Sequence, residues 1–105
     1  MLPEFEKSGN LPKGVYKVTL DEIRNTFGAG SAKRKWLIRN LEEIIKLAKS
    51  TVKLERVIIW GSFVSNKELP GDIDLLLIMR DDFVIDDIKP EAKMIFNYFQ
   101  GKIMF

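Results

Sequence analysis

Residues 58–79 read IIWGSFVSNKELPGDIDLLLIM and place two aspartates within an apolar stretch. The β-branched and aromatic run that ends at Gly61 predicts a short buried strand. Residues 66–71 are polar and contain a Pro-Gly pair, which is typical of a loop. Residues 72–79 return to apolar side chains and predict a second strand. The stretch therefore predicts two strands joined by a short connection.

Asp72 and Asp74 are expected on one face of the second strand, because residues two apart in a strand project to the same side. Ile73 and Leu75 then fall on the opposite, packed face. Two neighbouring carboxylates repel each other, which is destabilising unless a cation lies between them. Mg²⁺ suits such a place, since it accepts carboxylate, water and phosphate oxygens. In the simpler alternative, both aspartates face solvent at the start of the strand.

Gly61 and Ser62 follow the first strand directly, where a small residue allows a sharp turn and a close approach to the backbone. If residues 62–65 form a helical turn, its amide groups and dipole favour an anion, and the Ser62 hydroxyl can donate to a phosphate oxygen. Lys67 is near enough in sequence to reach a phosphate. The alternatives are an ordinary turn and an exposed loop lysine. Combined with the aspartates, the pattern favours a phosphate-binding turn beside a metal-binding carboxylate pair.

Residues 1–30 are rich in turn formers and predict an N-terminal arm that carries one short helix. Residues 19–22, TLDE, have the form of a capping box, in which the Thr hydroxyl and the Glu carboxylate satisfy backbone amides at a helix start. The helix is expected over residues 20–27 and is ended by the sequence GAG.

Residues 31–105 are expected to form the core of a chain that is a single domain overall. Ser31 can cap a second helix with apolar residues at spacings of three and four: Leu37, Leu41, Ile44, Ile45 and Ala48. A third helix is predicted over residues 90–100, and the final KIMF can form a last strand. This order predicts an α/β fold of the α+β class, a small mixed or antiparallel sheet with helices packed on one face.

The composition is that of one small globular domain, with 105 residues, 46% hydrophobic and 30% charged. The net charge of +2 means that any basic function must come from local clusters. The chain has no cysteine and no histidine, which excludes disulfides, thiolate and imidazole metal sites, and triads built on either residue. No apolar run is long enough to span a bilayer, and the N-terminus does not read as a signal peptide. A soluble, cytoplasmic protein is expected.

The segment GSFVSNKELPGDIDLLL resembles the signature of the DNA polymerase β-like nucleotidyltransferase superfamily, in which a strand, a Gly-Ser turn and a D-x-D strand form the nucleotide and metal site. Together with LPKGVYKVTLDEIRNTF and RKWL, it is similar to a branch of small bacterial and phage nucleotidyltransferase-like proteins over residues 11–80. The resemblance implies a nucleotidyltransferase-like core in which Gly61 and Ser62 contact a triphosphate. It also implies that Asp72 and Asp74 are the catalytic residues that bind Mg²⁺ or Mn²⁺.

The sequence departs from that pattern in one respect. Active members of the superfamily usually carry a third carboxylate on a later strand, which completes the metal site and helps to activate the nucleophile. Here the later strand is KIMF, and neither Lys102 nor Met104 can serve. Four other acids fall in the connection after the D-x-D strand, where a solvated loop is expected: Asp81, Asp82, Asp86 and Asp87.

Three functions compete for these residues. The first is Mg²⁺-dependent transfer of a nucleoside monophosphate from a nucleoside triphosphate to a hydroxyl of a protein or an RNA. The second is a catalytically weak or inactive relative that binds a nucleotide or a partner, such as one half of a toxin-antitoxin or phage-defence pair. A second copy of the chain, as a homodimer, is another candidate partner, because it can lend the missing carboxylate. The third is a nucleic-acid-binding module that uses the basic helix at 33–39.

The basic helix can be interpreted in two ways. Four cations can contact phosphates, with Trp36 stacking nearby: Lys33, Arg34, Lys35 and Arg39. Alternatively the cations form a solvated face, and Trp36 is a core or interface residue. Trp60 and Phe63 are expected to pack beneath the Gly-Ser turn, with base stacking by Phe63 as an alternative.

Overall fold

The structure is a computed structural model that describes residues 2–84, residue 90 and the backbone of residues 103–104. The described residues form α1 Leu20–Phe27, α2 Ala32–Lys49, β1 Leu54–Trp60, a single 3-10 turn Ser62–Val64, β2 Asp74–Met79 and β3 Ile103–Met104. Of the helix predicted over 90–100, only Pro90 lies among the described residues, and it is helical. No helix in this part of the chain is long and apolar enough to cross a membrane.

The chain forms two compact units. The first comprises Met1–Leu41 and Trp60–Asp74, and the second comprises Glu42–Ile59 and Leu75–Phe105. The N-terminal arm therefore shares a unit with the Gly-Ser turn and with both aspartates. The buried apolar side chains of this first unit include Ile23, Phe27, Leu37, Ile38, Leu41, Phe63 and Ile73.

The sheet has the strand order β1-β2-β3. β1 and β2 are antiparallel, and beside them the amide of Arg80 donates to the carbonyl of Lys53 at 2.7 Å. β2 and β3 are parallel, with Leu77 opposite Ile103. The predicted α+β class with a mixed sheet is therefore confirmed, and so is the final strand within KIMF.

β2 begins two residues later than predicted, at Asp74. The cause is local, because the amide of Ile73 donates to Oδ1 of Asp72 at 2.8 Å. A side chain that takes a backbone amide in this way competes with the hydrogen-bond ladder of a sheet. The alternation holds as predicted, since Ile73, Leu75 and Leu77 are all buried.

The prediction that β1 is a buried strand is wrong. Ile58 is 39% exposed and Trp60 is 45% exposed. β1 lies at one end of the strand order, so it has a paired strand on one side within the described sheet. An apolar sequence run cannot reveal whether a strand is central or at the edge.

α1 has the bounds that the capping-box sequence predicts. The amide of Glu22 donates to Oγ1 of Thr19 at 3.1 Å, and the amide of Thr19 donates to Oε1 of Glu22 at 3.4 Å. Asp21 and Glu22 place negative charge at the N-terminus of the helix, where the macrodipole is positive. The first turn of α1 is thus specified by adjacent residues alone.

Thr19→Ala is expected to lower the free energy of unfolding by about 1 kcal/mol, because it removes the acceptor for the Glu22 amide. Urea-induced unfolding followed by tryptophan fluorescence measures the change. The matched control is Thr26→Ala, since Thr26 is exposed within the same helix. Equal effects of the two substitutions would show that the cap contributes nothing.

α2 starts after Ser31, whose hydroxyl accepts from the amide of Arg34 at 3.2 Å, as the predicted cap requires. The same hydroxyl donates to the carbonyl of Glu68 at 2.8 Å, which ties the helix start to the loop before β2. Four residues of the predicted apolar stripe are buried: Leu37, Leu41, Ile45 and Ala48. Ile44 is only partly covered.

Candidate functional site

Gly61 links β1 to the 3-10 turn in a conformation that favours glycine. Its φ is 88° and its ψ is −164°, in a region that residues with a β-carbon essentially avoid. The amide of Val64 donates to the carbonyl of Gly61 at 3.2 Å and closes the turn. The turn spans only Ser62–Val64, so its dipole is too small to make an anion site alone. That part of the sequence argument for a phosphate site is not supported.

The carboxylate of Asp74 lies directly against the α-carbon of Gly61. A β-carbon on Gly61 would collide with Oδ2 of Asp74 and would stand 3.3 Å from its Cγ. The Gly-Ser turn and the first residue of β2 are therefore in van der Waals contact. Both residues belong to the first unit.

The other residues of the predicted site differ in exposure. Asp72 and Gly61 are exposed, whereas Asp74 and Ser62 are partly buried. The side chain of Lys67 is also exposed, but its backbone is held, since its amide donates to Oγ of Ser65 at 3.2 Å. Solvent can thus reach Gly61, Asp72 and the side chain of Lys67, and it reaches Asp74 and Ser62 in part.

A third carboxylate is not found in the part of the chain that the structure describes. No group of three or more His, Cys, Asp or Glu residues there could hold a metal ion. β3, which pairs parallel with β2, consists of Ile103 and Met104, and neither residue type is a ligand for Mg²⁺. Asp86 and Asp87 lie outside the described residues.

Asp81 and Asp82 follow the end of β2, whereas Asp74 begins it, so the length of the strand separates them. Asp82 has its own partner, because Nζ of Lys53 donates to its Oδ2 at 2.6 Å. This hydrogen bond lowers the pKa of Asp82 below its usual value. Both acids are exposed, as predicted for the connection after the D-x-D strand.

Arg34 has a role in this region that the sequence analysis, which placed it among the phosphate-contacting or solvated cations of α2, did not predict. It is only 6% exposed, and its guanidinium donates five hydrogen bonds to four backbone carbonyls. The acceptors are Phe27 at 2.9 Å, Phe63 at 2.8 Å, Ser65 at 2.6 Å, and Lys67 at 2.6 and 3.0 Å. Burial lowers the pKa of Arg34, because desolvation disfavours the charged form. The five hydrogen bonds oppose that cost.

Phe63 packs in the centre of the first unit. It is fully buried, its ring centroid is 6.1 Å from that of Phe27, and Arg34 Cζ is 5.5 Å from the ring. Base stacking by Phe63 is therefore wrong, since no face of the ring reaches solvent. Trp60 is 45% exposed, so its predicted packing beneath the turn is also wrong.

The basic surface of α2 is smaller than predicted. Arg34 cannot contact an external phosphate, because its guanidinium is buried and bonded to carbonyls. Trp36 is 50% exposed and lies beside Nζ of Lys33, 5.4 Å from the ring centroid, so it is not a core residue. Arg34 is therefore not available for the nucleic-acid-binding surface that was predicted at residues 33–39.

The N-terminal arm is bonded to the loop that follows the 3-10 turn. Asn10 and Ser65 form an antiparallel bridge, and the amide of Asn66 donates to the carbonyl of Gly9 at 2.9 Å. Gly9 is buried, with φ 89°, and a β-carbon there would collide with the side chain of Asn66. The loop is thus held by Arg34 and by the arm.

Two open cavities lie elsewhere. One of about 450 Å³ is lined by the arm, the turn between the helices and the loop, including Phe5 and Asn66. The other, of about 670 Å³, includes Glu55 and Arg80. Among the described residues, neither cavity is lined by the predicted site residues Gly61, Ser62, Asp72 and Asp74.

The chain matches a known protein family. The model of a family described as "Family of unknown function (DUF6932)" matches residues 3–103. The matched range contains both the Gly-Ser turn and the two aspartates. No curated protein and no solved structure matches the chain.

Proposed function

Because the chain belongs to the DUF6932 family, whose description assigns no activity, we propose its function from the site itself. The chain binds a nucleoside triphosphate together with Mg²⁺ or Mn²⁺ at Gly61, Ser62, Asp72 and Asp74. It transfers the nucleoside monophosphate to a hydroxyl of a protein or an RNA. The fold around this site is a nucleotidyltransferase-like core.

The contact between Gly61 and the carboxylate of Asp74 carries this proposal. Because Gly61 has no side chain, the backbone of the turn is accessible at the position where the carboxylate of Asp74 contacts it. A phosphate that approaches this backbone would therefore also approach an acidic side chain. Two anions share such a position only when a cation joins them.

The donor set fits a hard divalent cation. Asp72 and Asp74 supply carboxylate oxygens, and their partial exposure leaves room for water and for phosphate oxygens as further ligands. The chain has no histidine or cysteine that would favour a softer metal instead. When bound, the cation would neutralise charge on the phosphates and on the pyrophosphate leaving group.

In the reaction, a hydroxyl oxygen of the acceptor forms a bond to the α-phosphorus, and the bond between that phosphorus and the bridging oxygen of the β-phosphate breaks. Pyrophosphate leaves with the bonding electron pair. The hydroxyl proton passes to water, since the described residues hold no third carboxylate beside the pair. Ser62 donates a hydrogen bond to a phosphate oxygen, and Asp72 and Asp74 hold the cation.

A second candidate function is binding without transfer. It is favoured by one observation, the lack of a third carboxylate among the described residues. Such a protein would bind the nucleotide and act through a partner, as one half of a toxin-antitoxin or phage-defence pair or as a homodimer.

Thermal unfolding in the presence of each nucleoside triphosphate, with and without Mg²⁺, tests the shared binding step. Unmodified protein should gain about 2.7 kcal/mol of stability at a hundredfold excess of ligand over Kd. Asp74→Asn and Asp72→Asn should weaken binding at least about tenfold, or 1.4 kcal/mol. Asp81→Asn is the matched control, because Asp81 is exposed beyond the other end of β2. If no triphosphate stabilises the unmodified protein, both candidate functions are wrong.

Triphosphates labelled on the α-phosphate separate the two candidates. Label that moves to a protein or an RNA, with release of pyrophosphate, supports transfer. Stabilisation without any movement of label supports binding alone. Labelling that persists in the Asp72→Asn, Asp74→Asn double variant would exclude this site as its source.

A further inference from the structure

We propose that Arg34 is the positioning residue of the candidate site. Its guanidinium fixes the backbone of residues 63–67, and through that backbone it holds the Gly-Ser turn in the form that receives a triphosphate. This inference rests on the proposed function, but its structural half can be tested separately.

The hydrogen bonds of Arg34 define a backbone clamp. All four acceptors are main-chain carbonyl oxygens, and three of them belong to Phe63, Ser65 and Lys67. The fourth is Phe27, the last residue of α1. The guanidinium therefore holds the carbonyls of residues 63–67 in place and links them to the end of α1.

A lysine at position 34 could not make the same set of hydrogen bonds. The guanidinium has five N–H donors in a rigid planar fork, whereas an ammonium has three donors around one point. Here Nε, Nη1 and Nη2 all donate, and Lys67 accepts from two of them. The ring of Phe63 adds a cation–π contact that also favours the planar group.

The clamp is connected to the site by short steps. The amide of Val64 donates to the carbonyl of Gly61, so fixing residues 63–65 also fixes the turn. Gly61 in turn lies against the carboxylate of Asp74. A loosened clamp would therefore change the place of the turn relative to that carboxylate. Preorganised sites bind more tightly because less ordering remains to be done on binding.

Amide hydrogen exchange of Arg34→Lys tests the structural half. The amides of Val64 and Asn66 should lose protection by at least about tenfold more than amides within β2. The matched control is Arg39→Lys, because Arg39 is an exposed arginine on the same helix. Loss of protection that is equal at Val64, Asn66 and β2 would overturn the clamp.

Triphosphate affinity tests the functional half, measured with Mg²⁺ at a temperature where each variant is fully folded. Arg34→Lys should raise Kd about tenfold, whereas Arg39→Lys should leave it unchanged. Unchanged affinity in Arg34→Lys, despite altered exchange, would reduce Arg34 to a purely structural residue and overturn the positioning role. If the unmodified protein binds no triphosphate, the proposed function fails, while the exchange result still decides the clamp.

A measurement on the unmodified protein covers the case in which Arg34→Lys does not fold. The Nε proton of Arg34 donates to the carbonyl of Lys67 at 3.0 Å and should exchange at least about tenfold more slowly than that of Arg39. It should slow further when a triphosphate and Mg²⁺ are added. Equal exchange of the two Nε protons would overturn the clamp.

Discussion

Gly61→Ala is expected to abolish measurable triphosphate binding while leaving the protein folded. The φ of 88° and ψ of −164° are accessible essentially to glycine alone, so alanine costs about 1–3 kcal/mol of strain. In addition, the new β-carbon would collide with Oδ2 of Asp74. Because that oxygen ends a flexible side chain, the carboxylate should turn away. The fold would survive, but the contact that supports the proposed site would be lost.

The control for this prediction is Gly30→Ala. Gly30 also has a positive φ, 104°, but a β-carbon there meets nothing within 4 Å. Gly30→Ala therefore introduces strain from a positive φ, as Gly61→Ala does, but it does not displace a carboxylate. Thermal unfolding and a triphosphate titration with Mg²⁺ should show both variants destabilised, with binding lost in Gly61→Ala alone. Normal binding by Gly61→Ala would contradict a role for the bare turn.

Phe63→Ala is expected to cause the largest loss of stability, about 3–5 kcal/mol. The side chain is fully buried, and its removal would leave a cavity between Phe27 and the guanidinium of Arg34. It would also remove the ring that lies against a buried charge. Since the free energy of unfolding of a native domain is about 5–15 kcal/mol, a measurable fraction of the variant is expected to be unfolded at 37 °C. Urea-induced unfolding at 10 and 25 °C measures the change.

Leu69→Ala supplies the comparison for Phe63→Ala. Leu69 lies in the loop between the 3-10 turn and β2 and is 63% exposed. Its truncation should therefore change the free energy of unfolding by no more than about 0.5 kcal/mol. A loss below about 1 kcal/mol for Phe63→Ala would contradict the packing of the first unit around this ring.

The elements with local signals could be predicted from the sequence. α1 is defined by the reciprocal hydrogen bonds of Thr19 and Glu22, which lie three residues apart. The start of α2 follows from Ser31 in the same way. The alternation around Asp74 gave the buried face of β2, because a strand has a strict period of two. In each case the deciding contacts are between residues close in sequence.

Features that depend on distant partners could not be predicted. Arg34 bonds carbonyls 29 to 33 residues away, and a carbonyl is present at every position, so no side-chain pattern marks its acceptors. In the sequence it is one of four basic residues between positions 33 and 39. The exposure of Trp60 depends on which strand is at the edge of the sheet, which is a property of the whole fold. The contact between Gly61 and Asp74 needed both the turn and the strand in place.

The bridge between Asn10 and Ser65 has a consequence for biosynthesis. These two residues are more than half of the chain apart, and the first unit consists of two separate segments. A nascent chain that has not yet emerged from the ribosome as far as Asn66 lacks the partner of Gly9. The arm can therefore pair only after the second segment of the first unit, Trp60–Asp74, has been synthesised. Contacts between residues so far apart in sequence are slow to form. A fragment that starts at residue 31 would lack Gly9 and Asn10, which pair with the loop after the 3-10 turn at Ser65 and Asn66.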